Sequence, residues 1–329
     1  LSPLRLVFFG TPEIACPTLE RLLTSRHPVV GVVSQPDRGR GRGRKPSPSP
    51  VAAIALREGL PLLRPEKIGD AAVVEALRAL RPDLGIVVAF GQFLPKAVRE
   101  LPAKGYLINA HASLLPRHRG ANPIAQAIVD GDAETGISVM RIEKAMDAGP
   151  VAAVGRIPIG ERENTAELSL RLAALAAEKI AEVVDAIEAD RVVWTPQDEA
   201  RATLAAKLEK ADAILDLASG AIALARRIHA LAPRPGASLV LVSGGSQTDL
   251  KILRSTTAPF ASGEAPRVGT LDLRTPGVAL RIATGDGWLV PLEVQRAGGK
   301  ALPITDFLRG FPLADDARCE RAAIAGEPA

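Results

Sequence analysis

The chain has 329 residues, of which 47% are hydrophobic and 24% charged, with a formal net charge of +4. That length suits two domains, and that apolar content supports packed cores, which excludes an intrinsically disordered protein. No apolar run reaches the roughly 18 residues that a membrane span needs. Residues 1–10 lack the apolar segment of a signal peptide, and the scarcity of cysteines makes a cytoplasmic location the expectation. The two cysteines, Cys16 and Cys319, lie at opposite ends of the chain and form no disulfide framework; Cys16 reads as a small buried hydrophobe. Of the four histidines, His27, His111, His118 and His229, no pair has metal-ligand spacing on one element, and no metal site is expected.

In chain order, an apolar run at 4–9 ends in Gly10 and precedes a helical segment over about 13–24. Residues 29–33 are a β-branched strand. Ser49 followed by Pro50 has the form of a helix N-cap with proline at the first helical position. A helix near 70–81 and strands at 84–89 and 106–109 continue the alternation, which implies a parallel sheet covered on both faces. Asn164 with Glu167 three residues on reads as a capping box, opening a helix whose stripe is Leu168, Leu172, Leu175, Ile180, Val183 and Ile187. Residues 190–206 break that pattern and read as a connector. A helix at 219–231 then precedes five short β-type runs near 238–242, 250–253, 268–271, 278–282 and 288–294, separated by Gly and Pro, as in a small antiparallel barrel.

The chemistry starts with two missing signatures. Phe9-Gly10-Thr11-Pro12 stands where a dinucleotide-binding turn would carry G-x-G-x-x-G, and one glycine makes no pyrophosphate cradle. Gly298-Gly299-Lys300-Ala301 lacks the spacing and hydroxyl of a P-loop. Both weigh against dehydrogenases and kinases.

Residues 107–120, L-I-N-A-H-A-S-L-L-P-R-H-R-G, are more informative. Asn109 and His111 are one residue apart, so in an extended chain both side chains leave one face. An amide donor beside an imidazole suits stabilising a developing oxyanion and moving a proton. Asp147, downstream, is the candidate to orient and charge that imidazole. Residues 84–93, L-G-I-V-V-A-F-G-Q-F, form an apolar strand ending in a glycine turn, and ligands of such sheets bind beyond the carboxyl ends of strands. Arg38, Arg40, Arg42, Arg44 and Lys45 place five positive charges within eight residues, so the remainder of the chain is near neutral. Glycines between them keep the run extended, which fits either a phosphate-gripping loop or a solvated basic linker.

The run N-x-H-x-S-L-L-P, with Thr135-Gly136-x-Ser138 and the turn Met146-Asp147-Ala148-Gly149, resembles the formyltetrahydrofolate-dependent formyltransferases. Two further segments, L-V-F-F-G-T-P-E at 6–13 and the basic stretch 34–51, are similar to the methionyl-tRNA formyltransferase family within that superfamily. The resemblance spans roughly residues 4–310. It implies an α/β fold, a Rossmann-like doubly wound parallel sheet with a smaller C-terminal OB-like β-barrel domain. It divides the chain into a folate-binding catalytic domain over 1–190, a linker over 191–206, an OB-like tRNA-binding domain over 207–315 and a tail over 316–329.

It implies Asn109, His111 and Asp147 as catalytic residues. The tetrapeptide Ser113, Leu114, Leu115 and Pro116 and the edge at Ala89, Phe90 and Gly91 would bind the formyl-donor co-substrate, 10-formyltetrahydrofolate. Arg38, Arg40, Arg42, Arg44, Lys45, Lys207 and Lys210 would contact the partner, methionyl initiator tRNA; the chain is expected to act as a monomer, without a metal. Two departures stand out. His118 replaces an aromatic that the family often carries and reads as a loop contact, and Ala232-Pro233-Arg234-Pro235-Gly236 lacks the Asn and Trp of the family's N-P-W-P-type sequence. Two other readings stay open: a formyltransferase acting on an aminosugar nucleotide or purine precursor, and a non-catalytic RNA-binding protein on the same scaffold.

Overall fold

The apolar runs near the N-terminus are strands buried on both faces, which is why they read as continuous and not alternating. A computed structural model describes residues 2–39 and 46–322. It divides into two units: Leu1–Pro123, Glu134–Pro158 and Ser169–Ala205 in one, Ile124–Ala133, Ile159–Leu168 and Ala206–Ala329 in the other.

Along the chain lie β1 (Leu6–Gly10), α1 (Cys16–Leu23), β2 (Val29–Val33), α2 (Pro50–Arg57), β3 (Leu62–Leu63), α3 (Ala71–Ala79), β4 (Leu84–Val88), β5 (Leu107–His111), α4 (Pro123–Asp130), β6 (Glu134–Arg141), β7 (Val151–Pro158) and α5 (Thr165–Glu188). The strands form one sheet in the order β7-β6-β5-β4-β1-β2-β3. From β5 to β3 all pairings are parallel, whereas β6 runs antiparallel to β5 and β7 antiparallel to β6. The sheet is therefore Rossmann-like and mixed, not parallel throughout. The short connection over 142–150 leaves no room for the dozen or more residues of a parallel crossover.

Leu6, Phe8, Phe9, Leu84, Ile86, Leu107 and Ile108 fill the sheet's core. Gly85 on β4 lies opposite Leu107, and a Cβ there would sit 2.0 Å from Leu107 Cδ2, so glycine is what lets β5 dock in register. The capping box before α5 is complete: Glu167 N–H donates to Asn164 Oδ1 and Asn164 N–H to Glu167 Oε2, both at 3.0 Å. Its stripe is buried apart from the half-buried Leu175. Residues 191–205 are ordered within the first unit: Thr195 bridges Val151, and Leu204–Ala205 pair in parallel with Arg119–Gly120. Cys16 is half-buried, not fully buried; burial first, then Glu20 and Glu13, push its thiol up to about 11.

The second unit continues with α6 (Ala221–Leu231), β8 (Ala237–Ser243), β9 (Ser246–Pro259), β10 (Leu271–Asp272), β11 (Arg281–Ala283), β12 (Gly287–Arg296), β13 (Ala301–Pro303), α7 (Ile304–Gly310) and β14 (Arg318–Glu320). Its sheet order is β10-β11-β12-β9-β8-β14, with β13 on β12. A bridge between Thr270 and Arg318, with Cys319 N–H donating to Gly269 O at 2.8 Å, brings the two ends together and nearly closes a barrel. Strand β9 is 14 residues long, far beyond the expected 250–253, because Arg254 to Pro259 continue its pairing with β12. No helix among the described residues is long and apolar enough to cross a membrane.

Ser49 caps α2 as its sequence implies: its Oγ accepts from Ala52 N–H at 3.0 Å and lies 2.5 Å from the Ser34 hydroxyl, with both serines buried. Removing it takes away a cap and strands a second buried hydroxyl. Ser49→Ala should therefore destabilise the protein by about 1–2 kcal/mol. Chemical denaturation of the two proteins checks this, and an unchanged midpoint would contradict it.

Candidate active site

The sequence places Asn109 and His111 on β5, two positions apart and so on one face, near the strand's carboxyl end. Opposite them on β6 stand Met140 and Ser138. His111 is buried, and its ring has a defined orientation. His118 O accepts a hydrogen bond from His111 Nε2 at 2.8 Å, so Nε2 carries a proton. The other ring nitrogen, Nδ1, faces Asp147 Oδ2 at 3.6 Å. That separation exceeds a hydrogen bond but brings a carboxylate beside the one ring atom that is still open. Asp147 Oδ2 itself accepts from Gly120 N–H at 2.9 Å. Among the described residues, no protein group hydrogen-bonds the half-buried Asn109 amide.

Asp147 and His118 both adopt left-handed backbone, with φ of 51° and 56°, and so does Ala89 at 48°. Such conformations are sparsely populated for non-glycine residues and persist only where surrounding contacts enforce them. His118 is enforced by its N–H, which donates to Thr203 Oγ1 at 2.9 Å. It is thus a buried backbone partner of His111, and its carbonyl does what a loop contact by its imidazole would not.

The 113–116 loop is pinned to β6. Ser138 Oγ donates to Ser113 O at 2.8 Å and accepts from Leu115 N–H at 3.1 Å, while Ser113 Oγ donates to Arg117 O at 2.6 Å. Ser113 is buried; Leu114, Leu115 and Pro116 are half-buried. At the end of β4, Ala89 and Gly91 are exposed, whereas the Phe90 ring is buried edge-on against Phe9. The Phe90 carbonyl already accepts from Thr11 Oγ1 (3.1 Å) and Gln35 Nε2 (3.2 Å). This edge therefore offers a ligand the backbone around Ala89 and Gly91 and no Phe90 side chain.

Arg38 is exposed, with its backbone paired to Ser47. Arg40, Arg42, Arg44 and Lys45 lie outside the described residues. Lys207 and Lys210, in the second unit, are exposed.

Sequence reasoning did not find Arg119, Gln197, Glu199 or Thr203, which surround the 118–120 and 147–149 segments. Arg119 is buried and bonds Gln197 and Glu199, about eighty positions away, and contacts that distant leave no local periodicity. One group of three among the described residues has metal-ligand proximity: His27, Asp185 and Glu188. Leu4 N–H donates to His27 Nδ1 at 3.0 Å, so Nε2 holds a proton, which it donates to Asp185 Oδ1 at 3.0 Å. A protonated Nε2 has no lone pair for a cation, and Arg26 already pairs with Glu188.

An amide and an imidazole near the carboxyl end of a strand, with a carboxylate beside them, on a mixed Rossmann-like sheet define an α/β enzyme. The formyl transferase model matches residues 4–184, and the model for the C-terminal domain of formyl transferases matches 207–312. The methionyl-tRNA formyltransferase of Roseiflexus castenholzii is 43% identical over 311 residues, covering 94% of this chain and 97% of its own. That of Methylococcus capsulatus is 43% identical over 311 residues, with 94% and 98% covered. Among solved structures, HypX from Aquifex aeolicus in complex with tetrahydrofolic acid shares the fold, with a TM-score of 0.61 at 20% identity over 96% of this chain and 49% of that one. The chain belongs to the formyl transferase family.

The geometry fixes the tautomer of His111. Long-range ¹⁵N–¹H NMR of the neutral ring should show the proton on Nε2, held by the His118 carbonyl. A neutral ring protonated on Nδ1 would contradict this orientation.

Proposed function

We propose that this chain transfers the formyl group of 10-formyltetrahydrofolate to the α-amino group of methionine esterified to initiator tRNA. The observation that carries this reading is the pair on β5: Asn109, an amide without a hydrogen-bond partner among the described residues, beside an imidazole whose Nε2–H is already held and whose Nδ1 faces Asp147. Relatives that cover almost the whole chain at 43% identity carry that activity in their names.

The attacking amine must be neutral. Free α-amino groups titrate at about 7.7–8.0, so a workable fraction is available near neutral pH. As the new C–N bond forms, the formyl oxygen becomes an oxyanion, and the Asn109 amide donates to it. With Nε2–H engaged by His118, the proton traffic of His111 falls to Nδ1. Asp147 takes the proton that the amine sheds as it attacks and passes it to Nδ1, and the resulting imidazolium offsets the charge on the formyl oxygen. The tetrahedral intermediate then collapses by breaking the bond from the formyl carbon to the folate nitrogen. The folate nitrogen, no longer conjugated with a carbonyl, leaves poorly as an anion, so the proton lost by the attacking amine is delivered to it by way of Asp147 and His111.

The turn at Ala89 to Gly91 and the loop Ser113 to Pro116 would hold the folate. Arg38, Arg40, Arg42, Arg44 and Lys45 would grip phosphates, with Lys207 and Lys210 adding charge from the second unit. In this reading the chain is a cytoplasmic monomer.

The test is acceptor choice: formyl transfer from 10-formyltetrahydrofolate to charged initiator tRNA, to free methionine and to an aminosugar nucleotide. Charged tRNA should be preferred in kcat/KM by several orders of magnitude, because binding contacts far from the amine contribute to the transition state. Preference for the aminosugar nucleotide, or no transfer to any acceptor, would overturn the proposal.

A further inference from the structure

Asp147 sits in a left-handed conformation in a turn closed by Ala148 N–H on Ala145 O at 3.5 Å, and one side chain secures that turn from outside. Gln197 Nε2 donates to Asp147 O at 2.7 Å and to Gly149 O at 2.8 Å, which uses both of its protons. Gln197 Oε1 accepts from Arg119 Nη2 at 2.7 Å and from Arg119 Nε at 3.1 Å. Arg119 has only donors, so the amide oxygen must face it and the amide nitrogen must face the two carbonyls. Arg119 is in turn held by Glu199, through Nη1–Oε2 at 2.8 Å and Nη2–Oε1 at 2.7 Å. The next residue along, Gly120, donates its N–H to the Asp147 carboxylate. One short stretch thus fixes the carboxylate directly and, through Gln197, the backbone that carries it. Gly149 belongs to the same device: a Cβ there would sit 1.9 Å from Arg141 O.

We propose that Gln197, anchored by Arg119, is a positioning residue that sets the Asp147 carboxylate opposite His111 Nδ1. The proposal rests on the reading of Asp147 as a working member of the site. Among the described residues, the hydrogen bonds of the Gln197 side chain go to Arg119 and the two turn carbonyls. A carboxylate could not replace it, since Glu would turn an acceptor toward two carbonyl oxygens while keeping its bond to Arg119.

The experiment is a double-mutant cycle in the full chain, reading kcat and folate-donor KM for Gln197→Ala, Gln197→Glu, Asp147→Asn and the Gln197→Ala/Asp147→Asn pair. Gln197→Ala and Gln197→Glu should each lower kcat by about tenfold to a hundredfold, as loss of an orienting partner does, with donor KM unchanged. In the Asp147→Asn background, Gln197→Ala should cost no more than about twofold further, because its effect runs through Asp147. Where Gln197→Ala fails to fold, Gln197→Glu, which keeps the Arg119 contact, carries the test. A folded Gln197 variant with wild-type kcat beside an impaired Asp147→Asn would overturn this proposal alone. So would losses that multiply in the double variant, the signature of a structural role independent of Asp147. Wild-type kcat in Asp147→Asn would instead overturn the reading of Asp147, and this proposal with it.

Discussion

The site depends on where β5 lies and where it stops. A strand presents alternate residues to one face, so Asn109 and His111 emerge together only while the chain is extended through both of them. On one side β5 pairs in parallel with β4, through the close approach of Leu107 to Gly85. On the other it pairs antiparallel with β6, which sets Ser138 across from His111. The same Ser138 hydroxyl ties down the 113–116 loop from both ends. The antiparallel pairing of β6 with β5 thus fixes Asn109, His111 and the proposed folate loop at one end of one strand. A slip of one residue in this register would send both side chains into the opposite face.

Electrostatic preorganisation follows from how each polar group is committed. The His111 ring is held by a backbone carbonyl through Nε2, which frees Nδ1 for exchange with Asp147. Asp147 is tied to Gly120 through Oδ2 and to Gln197 through its backbone, so its carboxylate needs no reorganisation to stay near the ring. Among the described residues no protein group engages the half-buried Asn109 amide, which leaves it open to donate to a ligand. A developing oxyanion is what the proposed reaction offers. Donors fixed before charge appears are the kind that accelerate a step and not merely bind a ground state.

Much of this was legible in the chain because it rests on local patterns. Ser49-Pro50, the Asn164–Glu167 capping box and the stripe from Leu168 to Ile187 are short-range signals with direct physical causes, and each took the expected form. The N-x-H spacing was readable because the strand period is two. What escaped depends on contacts between distant segments. β6 is buried along most of its length and so does not alternate, and its antiparallel pairing with β5, continued by β7 on β6, makes the sheet mixed. Gln197 and Glu199 lie in a stretch that reads as a connector, and its contacts with Arg119, Gly120 and the Asp147 turn come from segments too distant to leave a local pattern. The resemblance places the folate at the edge formed by Ala89, Phe90 and Gly91, and within that edge the Phe90 ring packs on Phe9, an orientation the sequence does not reveal.

The central claim is that Asn109 and His111 act together on the reacting oxygen. Single-turnover formyl transfer to charged initiator tRNA by folded Asn109→Ala and His111→Ala variants tests it most directly. Each variant should lose about 10²–10³ in rate, the usual effect of removing one preorganised donor, while still binding a folate analogue. A folded variant of either residue that transfers formyl at close to the wild-type rate would contradict the account.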